Sequence, residues 1–83
     1  MIKDFLIIGA TRYAMGRQTY VVQETVQWLM AFWHEVSREA QTVIRRDLKE
    51  AIARDDPTLS YGPLGSNIDR AEWMRLWDKI KNG

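Results

Sequence analysis

The chain of 83 residues has no cysteine, a single histidine and almost no excess of either charge. The absence of cysteine excludes disulfide bonds and thiolate metal sites, and it fits a reducing compartment. Twelve basic residues against eleven acidic ones give a net charge of +1, whereas nucleic-acid-binding modules usually carry a strongly basic face. The composition therefore argues against a nucleic-acid partner.

Long hydrophobic runs are also missing. The longest early apolar run, from Phe5 to Ala10, is far shorter than the roughly 20 residues that a transmembrane helix needs. Asp4 before this run and Arg12 and Arg17 after it fit a signal peptide poorly. We therefore expect no membrane association and a cytoplasmic location.

The sequence offers no set of residues for catalysis or metal binding. His34 is the only histidine, and neither Glu35 nor Glu39 forms a metal-ligand pattern with it. The Asp55-Asp56 pair directly precedes a proline, which is typical of a solvated helix end. Without a nucleophile–base pair, we expect a protein that is not an enzyme and that uses no metal or cofactor.

Aromatic residues, in contrast, are plentiful. The chain contains four Trp, three Tyr and two Phe within a hydrophobic fraction of 46%. Each large ring can bury about 150–250 Å², and this supply predicts one globular domain over residues 1–83. Because a domain of this size has few places to bury rings, some should stay exposed, and we expect a homo-oligomer.

Apolar spacing in the first half predicts two helices. In the segment from Ile2 to Met15, one helical side would carry Phe5, Leu6, Ile8, Gly9 and Tyr13. The apolar run over residues 5–8 also fits a short buried strand, but no second strand is available to pair with it. Gly16 should end this helix, and Thr19 should cap the next one. That helix, from about Tyr20 to Val36, has an apolar stripe of Val22, Val26, Leu29, Trp33 and Val36.

The second half predicts two more helices around a loop. Ser37 should cap a helix from Arg38 to Arg54. The helix should end there because Pro57 disfavours helical geometry in the residue that precedes it. A glycine- and proline-containing loop follows from Thr58 to Asn67. Asp69 and Glu72 resemble a capping box for a last helix, which would bury Trp73, Leu76, Trp77 and Ile80. The predicted fold is an all-α bundle of three to four helices, in which the four tryptophans belong to the core or to a subunit interface.

The stretch from Arg12 to Tyr20 carries the strongest candidate site. Free N–H groups at the start of the second helix attract anions, and arginines can hold phosphate through paired hydrogen bonds. Tyrosine rings can stack on a base, and polar side chains of the late loop can bind a ribose hydroxyl. The candidate ligand-binding residues are Arg12, Tyr13, Gly16, Arg17, Thr19, Tyr20, Asn67 and Asp69. A purely structural junction, with paired arginines, packed tyrosines and a capping Asp69, is the alternative.

The pattern Arg-Tyr-Ala-x-Gly-Arg-x-Thr-Tyr over residues 12–20 resembles one found in small uncharacterised proteins of bacteriophages and prophages. The resemblance extends to a Trp in the following helix and to Leu64-Gly65, Asp69-Arg70 and Trp73. It implies a phage accessory protein that acts inside a bacterial host. Proteins of this kind often counter host defence, either by sequestering a nucleotide immune signal or by blocking a defence protein.

Two functions of different classes follow from these observations. The first is an oligomeric protein that captures an anionic nucleotide-like ligand, with Arg12 and Arg17 on phosphates and Tyr13 and Tyr20 on the base. The second is a protein–protein inhibitor of a host defence complex, such as a CRISPR effector, which would use an exposed Trp or a charged helix face.

Overall fold

The computed structural model describes residues 3–82, and this part of the chain is all-α with no strand. The four helices are α1 (Asp4–Ala14), α2 (Thr19–Phe32), α3 (Arg38–Arg54) and α4 (Asn67–Ile80), and a short 3-10 turn, Trp33–Glu35, extends α2. The predicted all-α class is confirmed, and the first element is a helix rather than the alternative strand. Ile2, the first residue of that predicted element, lies outside the described part.

The helices form a closed arrangement in which α1 packs on α2 and α3, and α4 packs on the same two helices. Two polar contacts fix the direction of α1 relative to α3. The Ser37 hydroxyl donates to Asp4 Oδ1 at 2.7 Å, and further along both helices Arg12 Nε donates to Asp47 Oδ2 at 2.7 Å. Helices α1 and α3 therefore run parallel, and α2 returns antiparallel to α1 after the junction at residues 15–18.

The core lies between the four helices, and most of its large side chains come from α2, α3 and α4. Its fully buried large side chains include Val22, Val26, Leu29, Ile44, Leu48, Trp73, Leu76 and Ile80. The predicted stripe of α2 is confirmed except at Trp33, which is half-buried because α2 changes to a 3-10 turn there. Trp73 alone among the tryptophans is completely buried, whereas Trp28, Trp33 and Trp77 pack at the edge of the core.

The apolar side of α1 that the sequence predicts is mostly exposed in the structure, although Ile8 packs against the edge of the core. Ile7, Thr11 and Ala14 face the core instead of Phe5 and Tyr13. The buried Thr11 hydroxyl donates to the Ile7 carbonyl at 2.8 Å, so its burial in the protein interior costs little free energy. Small side chains at positions 11 and 14 let α1 approach its neighbours closely, which apolar periodicity by itself does not reveal.

The residues that begin and end the helices agree only in part with the sequence predictions. Gly16 has a φ of +79°, a conformation that suits the glycine just past a helix C-terminus, as predicted. Ser37 caps α3 as predicted, since its Oγ accepts a hydrogen bond from the Ala40 amide at 3.1 Å. The prediction for Thr19 is wrong: Gln18 occupies the N-cap of α2, and its side chain makes no capping bond.

The capping box of α4 also lies earlier than predicted, because it is formed by Ser66 and Asp69 rather than by Asp69 and Glu72. Ser66 Oγ accepts from the Asp69 amide at 3.4 Å, and Asp69 Oδ2 accepts from the Ser66 amide at 3.0 Å. The helix therefore begins at Asn67, directly after the turn at Gly65.

The loop between α3 and α4 is held by one buried ion pair. Arg70 Nε lies 2.8 Å from Asp55 Oδ2, and both side chains are almost completely buried. Arg70 Nη2 also donates to the Asp56 carbonyl at 3.0 Å, and Gly62 and Gly65 exchange two backbone hydrogen bonds. These contacts position the loop beside the start of α2. Within residues 3–82, no helix is both long enough and apolar enough to cross a membrane.

Candidate functional site

A cavity of about 550 Å³ opens where α1 turns into α2. One wall is formed by Tyr13 and by residues 16–21, and the opposite wall by Tyr61, Ser66 and Asp69. Its volume falls within the roughly 300–1,000 Å³ that is usual for small-molecule sites. The structure thus brings together six of the eight predicted ligand-binding residues: Tyr13, Gly16, Arg17, Thr19, Tyr20 and Asp69.

The start of α2 presents unpaired backbone amides to this cavity. The Arg17 amide donates to the Ala14 carbonyl at 3.1 Å, and the first amides of α2 that form backbone hydrogen bonds are those of Val21 and Val22, which donate to the Gln18 carbonyl at 3.0 and 3.2 Å. The Gln18 side chain caps nothing, whereas α3 and α4 both begin with a capping serine. Among the described residues, no acceptor pairs with the amides of Thr19 and Tyr20. They are therefore available to an anion, which the helix dipole also favours.

Arg17 supplies positive charge beside these amides. Its guanidinium carbon lies 4.4 Å from the centroid of the Tyr13 ring, and its Nε donates to the Tyr13 carbonyl at 3.2 Å. The stacked arrangement fixes the direction of the guanidinium plane. Within residues 3–82, no carboxylate forms an ion pair with Arg17, and its terminal nitrogens make no hydrogen bond. They can make a bidentate contact with phosphate or carboxylate.

Three tyrosines surround the cavity, and all of them are more than half exposed. The exposed fractions are 59% for Tyr13, 61% for Tyr20 and 56% for Tyr61. The Tyr61 hydroxyl donates to the Gly16 carbonyl, so the α3–α4 loop bridges to the turn that precedes α2. The sequence interpretation missed Tyr61 because it lies 45 positions after Gly16 in the chain. An aromatic residue in a loop rich in glycine and proline was the only available signal.

Asp69 lies on the opposite wall, at the start of α4. Its side chain is buried, Oδ2 accepts the capping bond from Ser66, and Oδ1 has no hydrogen-bond partner among the described residues. A Cβ at Gly65 would collide with Oδ2, so glycine at this position allows the close approach. The carboxylate repels phosphate and accepts hydrogen bonds. The cavity therefore has a cationic side at Arg17 and an acidic side at Asp69, whose unpaired Oδ1 is itself buried.

Arg12 and Asn67, the other two predicted residues, lie outside this cavity. Arg12 is turned toward α3, where its pair with Asp47 belongs to a separate cavity of about 370 Å³. The hydrogen bond and the charge of Asp47 raise the pKa of Arg12 above its ordinary value. Adjacent helical positions differ by about 100°, which explains why Arg12 and Tyr13 face different surfaces. The Asn67 side chain accepts a hydrogen bond from Arg70 Nη1 at 2.7 Å, so it supports the loop.

The remaining polar groups do not form a metal site. No group of three or more His, Asp and Glu residues in the described part is arranged to hold a metal ion. The exposed His34 lies 3.8 Å from the carboxylate of Glu35, on the 3-10 turn at the far end of α2.

Comparisons of the chain with protein-family models, with curated proteins and with solved structures found no match. The geometry of the cavity at the start of α2 is therefore the main structural argument about function.

Proposed function

We propose that this chain is a phage-encoded, non-enzymatic protein that sequesters an anionic nucleotide-type ligand, a host immune signal, in the bacterial cytoplasm. The observation that carries the proposal is the convergence of Arg17, two unpaired amides of α2 and three tyrosines on one cavity. Cation, amide donors and flat rings are the groups that recognise phosphate and base together.

The two walls suggest how such a ligand lies. Its phosphate would bind Arg17 and the amides of Thr19 and Tyr20, where the charge and the dipole are favourable. Its base would stack on an exposed tyrosine ring, as bases do on aromatic platforms in other nucleotide-binding proteins. Its sugar would then face Asp69, which accepts hydrogen bonds from hydroxyl groups but repels a second phosphate.

Arg12 does not contribute to the proposed ligand site, although the sequence predicts that it would. Its guanidinium already forms two hydrogen bonds with Asp47, through Nε at 2.7 Å and Nη2 at 3.4 Å. The phosphate contacts that the sequence assigned to two arginines are therefore assigned to Arg17 and the amides of α2.

Isothermal titration with a panel of cyclic dinucleotides and ADP-ribose derivatives tests the proposal. We expect at least one member to bind, and we expect Arg17→Gln to weaken that binding by about tenfold or more, because a charge-assisted contact of roughly 1.5–3 kcal/mol is lost. Arg38→Gln is the matched control, since Arg38 is exposed at the start of α3, near the opposite end of α1. Absence of heat with every member, for a folded sample, would contradict the proposal. Equal losses in the two variants would contradict the assigned role of Arg17.

A second experiment, analysis of the ligand released from the complex, separates sequestration from catalysis. A protein that only binds should release the nucleotide chemically unchanged, in a stoichiometric amount, after the complex is denatured. Chromatography of the released ligand checks this, and any cleaved product that accumulates with time would show an enzyme instead.

A further inference from the structure

The outer face of α1 carries large apolar side chains that are more than half exposed, although the Arg17 guanidinium stacks on one of them, the Tyr13 ring. Phe5 is 71% exposed, Leu6 58% and Tyr13 59%, and Gly9 lies between them. The spacing of these four residues, which we call the α1 stripe, places them along one side of the helix. Helix α1 therefore buries Ile7, Thr11 and Ala14 and leaves its aromatic rings exposed, which is unusual for a surface helix in a monomeric protein.

The middle of the α1 stripe, at Leu6 and Gly9, carries no charged side chain, whereas the Arg17 guanidinium stacks on Tyr13 at one end. The two charged residues within α1 are engaged with α3, since Asp4 accepts a hydrogen bond from Ser37 and Arg12 pairs with Asp47. The middle of a contact between two copies of the stripe therefore brings no like charges together. The stripe also lacks the lysine and arginine side chains by which amphipathic helices bind anionic membranes.

The stripe is complementary to itself. Gly9 lies midway between Phe5 and Tyr13, and a Cβ built on Gly9 would meet no atom within 4 Å. In an antiparallel crossing of two α1 helices about a twofold axis, Gly9 would face its own copy and allow close approach of the backbones. The same symmetry would place Phe5 of one copy against the partner subunit's Tyr13.

The exposed area suits a weak dimer. A large ring can bury about 150–250 Å² in total, and the stripe side chains are 58–71% exposed, so the stripe and its helix backbone offer on the order of 400 Å² per copy at most. Two copies would then bury on the order of 800 Å², which is below the standard size of stable interfaces and in the range of transient ones. The area predicts an association that depends on protein concentration.

We infer that a second copy of this chain covers the α1 stripe in an antiparallel, twofold contact centred on Gly9. The contact also bears on the cavity, because Tyr13 belongs both to the stripe and to the cavity wall. The partner subunit's Phe5 would pack against the Tyr13 ring and complete the rim of the cavity. This dimer does not depend on which ligand the cavity binds.

Sedimentation velocity from micromolar to near-millimolar protein tests the inference. The wild-type chain should shift from monomer toward dimer as concentration rises. Gly9→Glu should raise the dimer dissociation constant by at least about tenfold, because two like charges would meet at the centre of the contact. The monomer should keep its circular dichroism, since the introduced side chain has open space around it and glutamate favours helix over glycine.

Ala53→Glu, on the exposed side of α3, adds the same charge away from the stripe and should leave the dimer constant unchanged. A wild-type chain that stays monomeric at all concentrations would overturn the inference, as would an assembly of any size that Gly9→Glu leaves intact. Flotation with phosphatidylcholine vesicles tests whether lipid, rather than a second copy, covers the stripe. A monomer that floats with the vesicles would show that lipid covers the stripe, which would also overturn the inference.

Discussion

Arg12 and Arg17 show how far the surroundings of a residue decide its role. Both arginines stand in the same short stretch, and both are exposed. Arg12 faces a carboxylate of α3, whereas Arg17 stacks on Tyr13 beside unpaired amides. The sequence predicts an anion-binding stretch but cannot show which arginine belongs to it, because Asp47 is distant in the chain.

Asp56 provides a residue-scale prediction about pH. Its Oδ1 accepts hydrogen bonds from the Thr58 hydroxyl at 2.6 Å and from the Thr58 amide at 3.0 Å, and these bonds lower the pKa of Asp56 below its ordinary value. A lowered folded-state pKa means that the turn is stabilised above the ordinary pKa of about 3.9, and that it loses this contribution as pH falls through the lowered value.

Carbon-detected NMR titration of the carboxyl groups measures this pKa directly. Thr58→Val should move the pKa of Asp56 upward, since the hydroxyl bond is the largest cause of the shift. Thr42→Val removes a hydroxyl that donates to the Arg38 carbonyl and should leave Asp56 unaffected. A wild-type pKa at or above the ordinary value would contradict the turn geometry.

The cavity lies between the first residues of two helices, α2 and α4, which begin in different ways. Helix α2 begins without a side-chain cap, while α4 begins with a reciprocal one that places Asp69 in the opposite wall. That cap depends on Gly65, whose φ is +90° and whose missing Cβ leaves room for the Asp69 carboxylate. We therefore expect the turn before α4 to tolerate no side chain at Gly65.

Gly65→Ala should lower the free energy of unfolding by about 1–3 kcal/mol, from backbone strain and from the collision with Asp69. Gly9→Ala is the matched control, because Gly9 is helical with open space around it and alanine should stabilise there by about 0.5–1 kcal/mol. Urea unfolding at low protein concentration measures both. A Gly65→Ala protein as stable as the wild type would contradict the proposed constraint.

The four helices could be predicted from the sequence, but the side of each helix that faces the core could be predicted only in part. Periodicity correctly gave most of the inner face of α2, because its apolar stripe runs the length of the helix. It failed for α1, where apolar residues occupy nearly every side and only the small Thr11 and Ala14 mark the packed one. Tyr61 could not be predicted, since its place on the cavity depends on the buried pair between Arg70 and Asp55.

At the scale of the whole molecule, the small bundle has an open cavity and an exposed apolar helix face. The cavity at the start of α2 has cationic, aromatic and accepting groups, and the α1 stripe has exposed apolar ones. Tyr13 belongs to both surfaces. If both proposals are correct, ligand binding and self-association are coupled, because each fixes the same ring.

Native mass spectrometry of the protein purified from expressing bacteria tests ligand capture most directly. Gentle ionisation of the wild-type chain should show an added mass of nucleotide size, and collisional release should return that species as an anion. Arg17→Gln should lose most of this added mass, and Arg38→Gln should retain it. A wild-type spectrum with only the bare chain, even after incubation with the nucleotide panel, would contradict the proposal that this protein is a nucleotide-binding one.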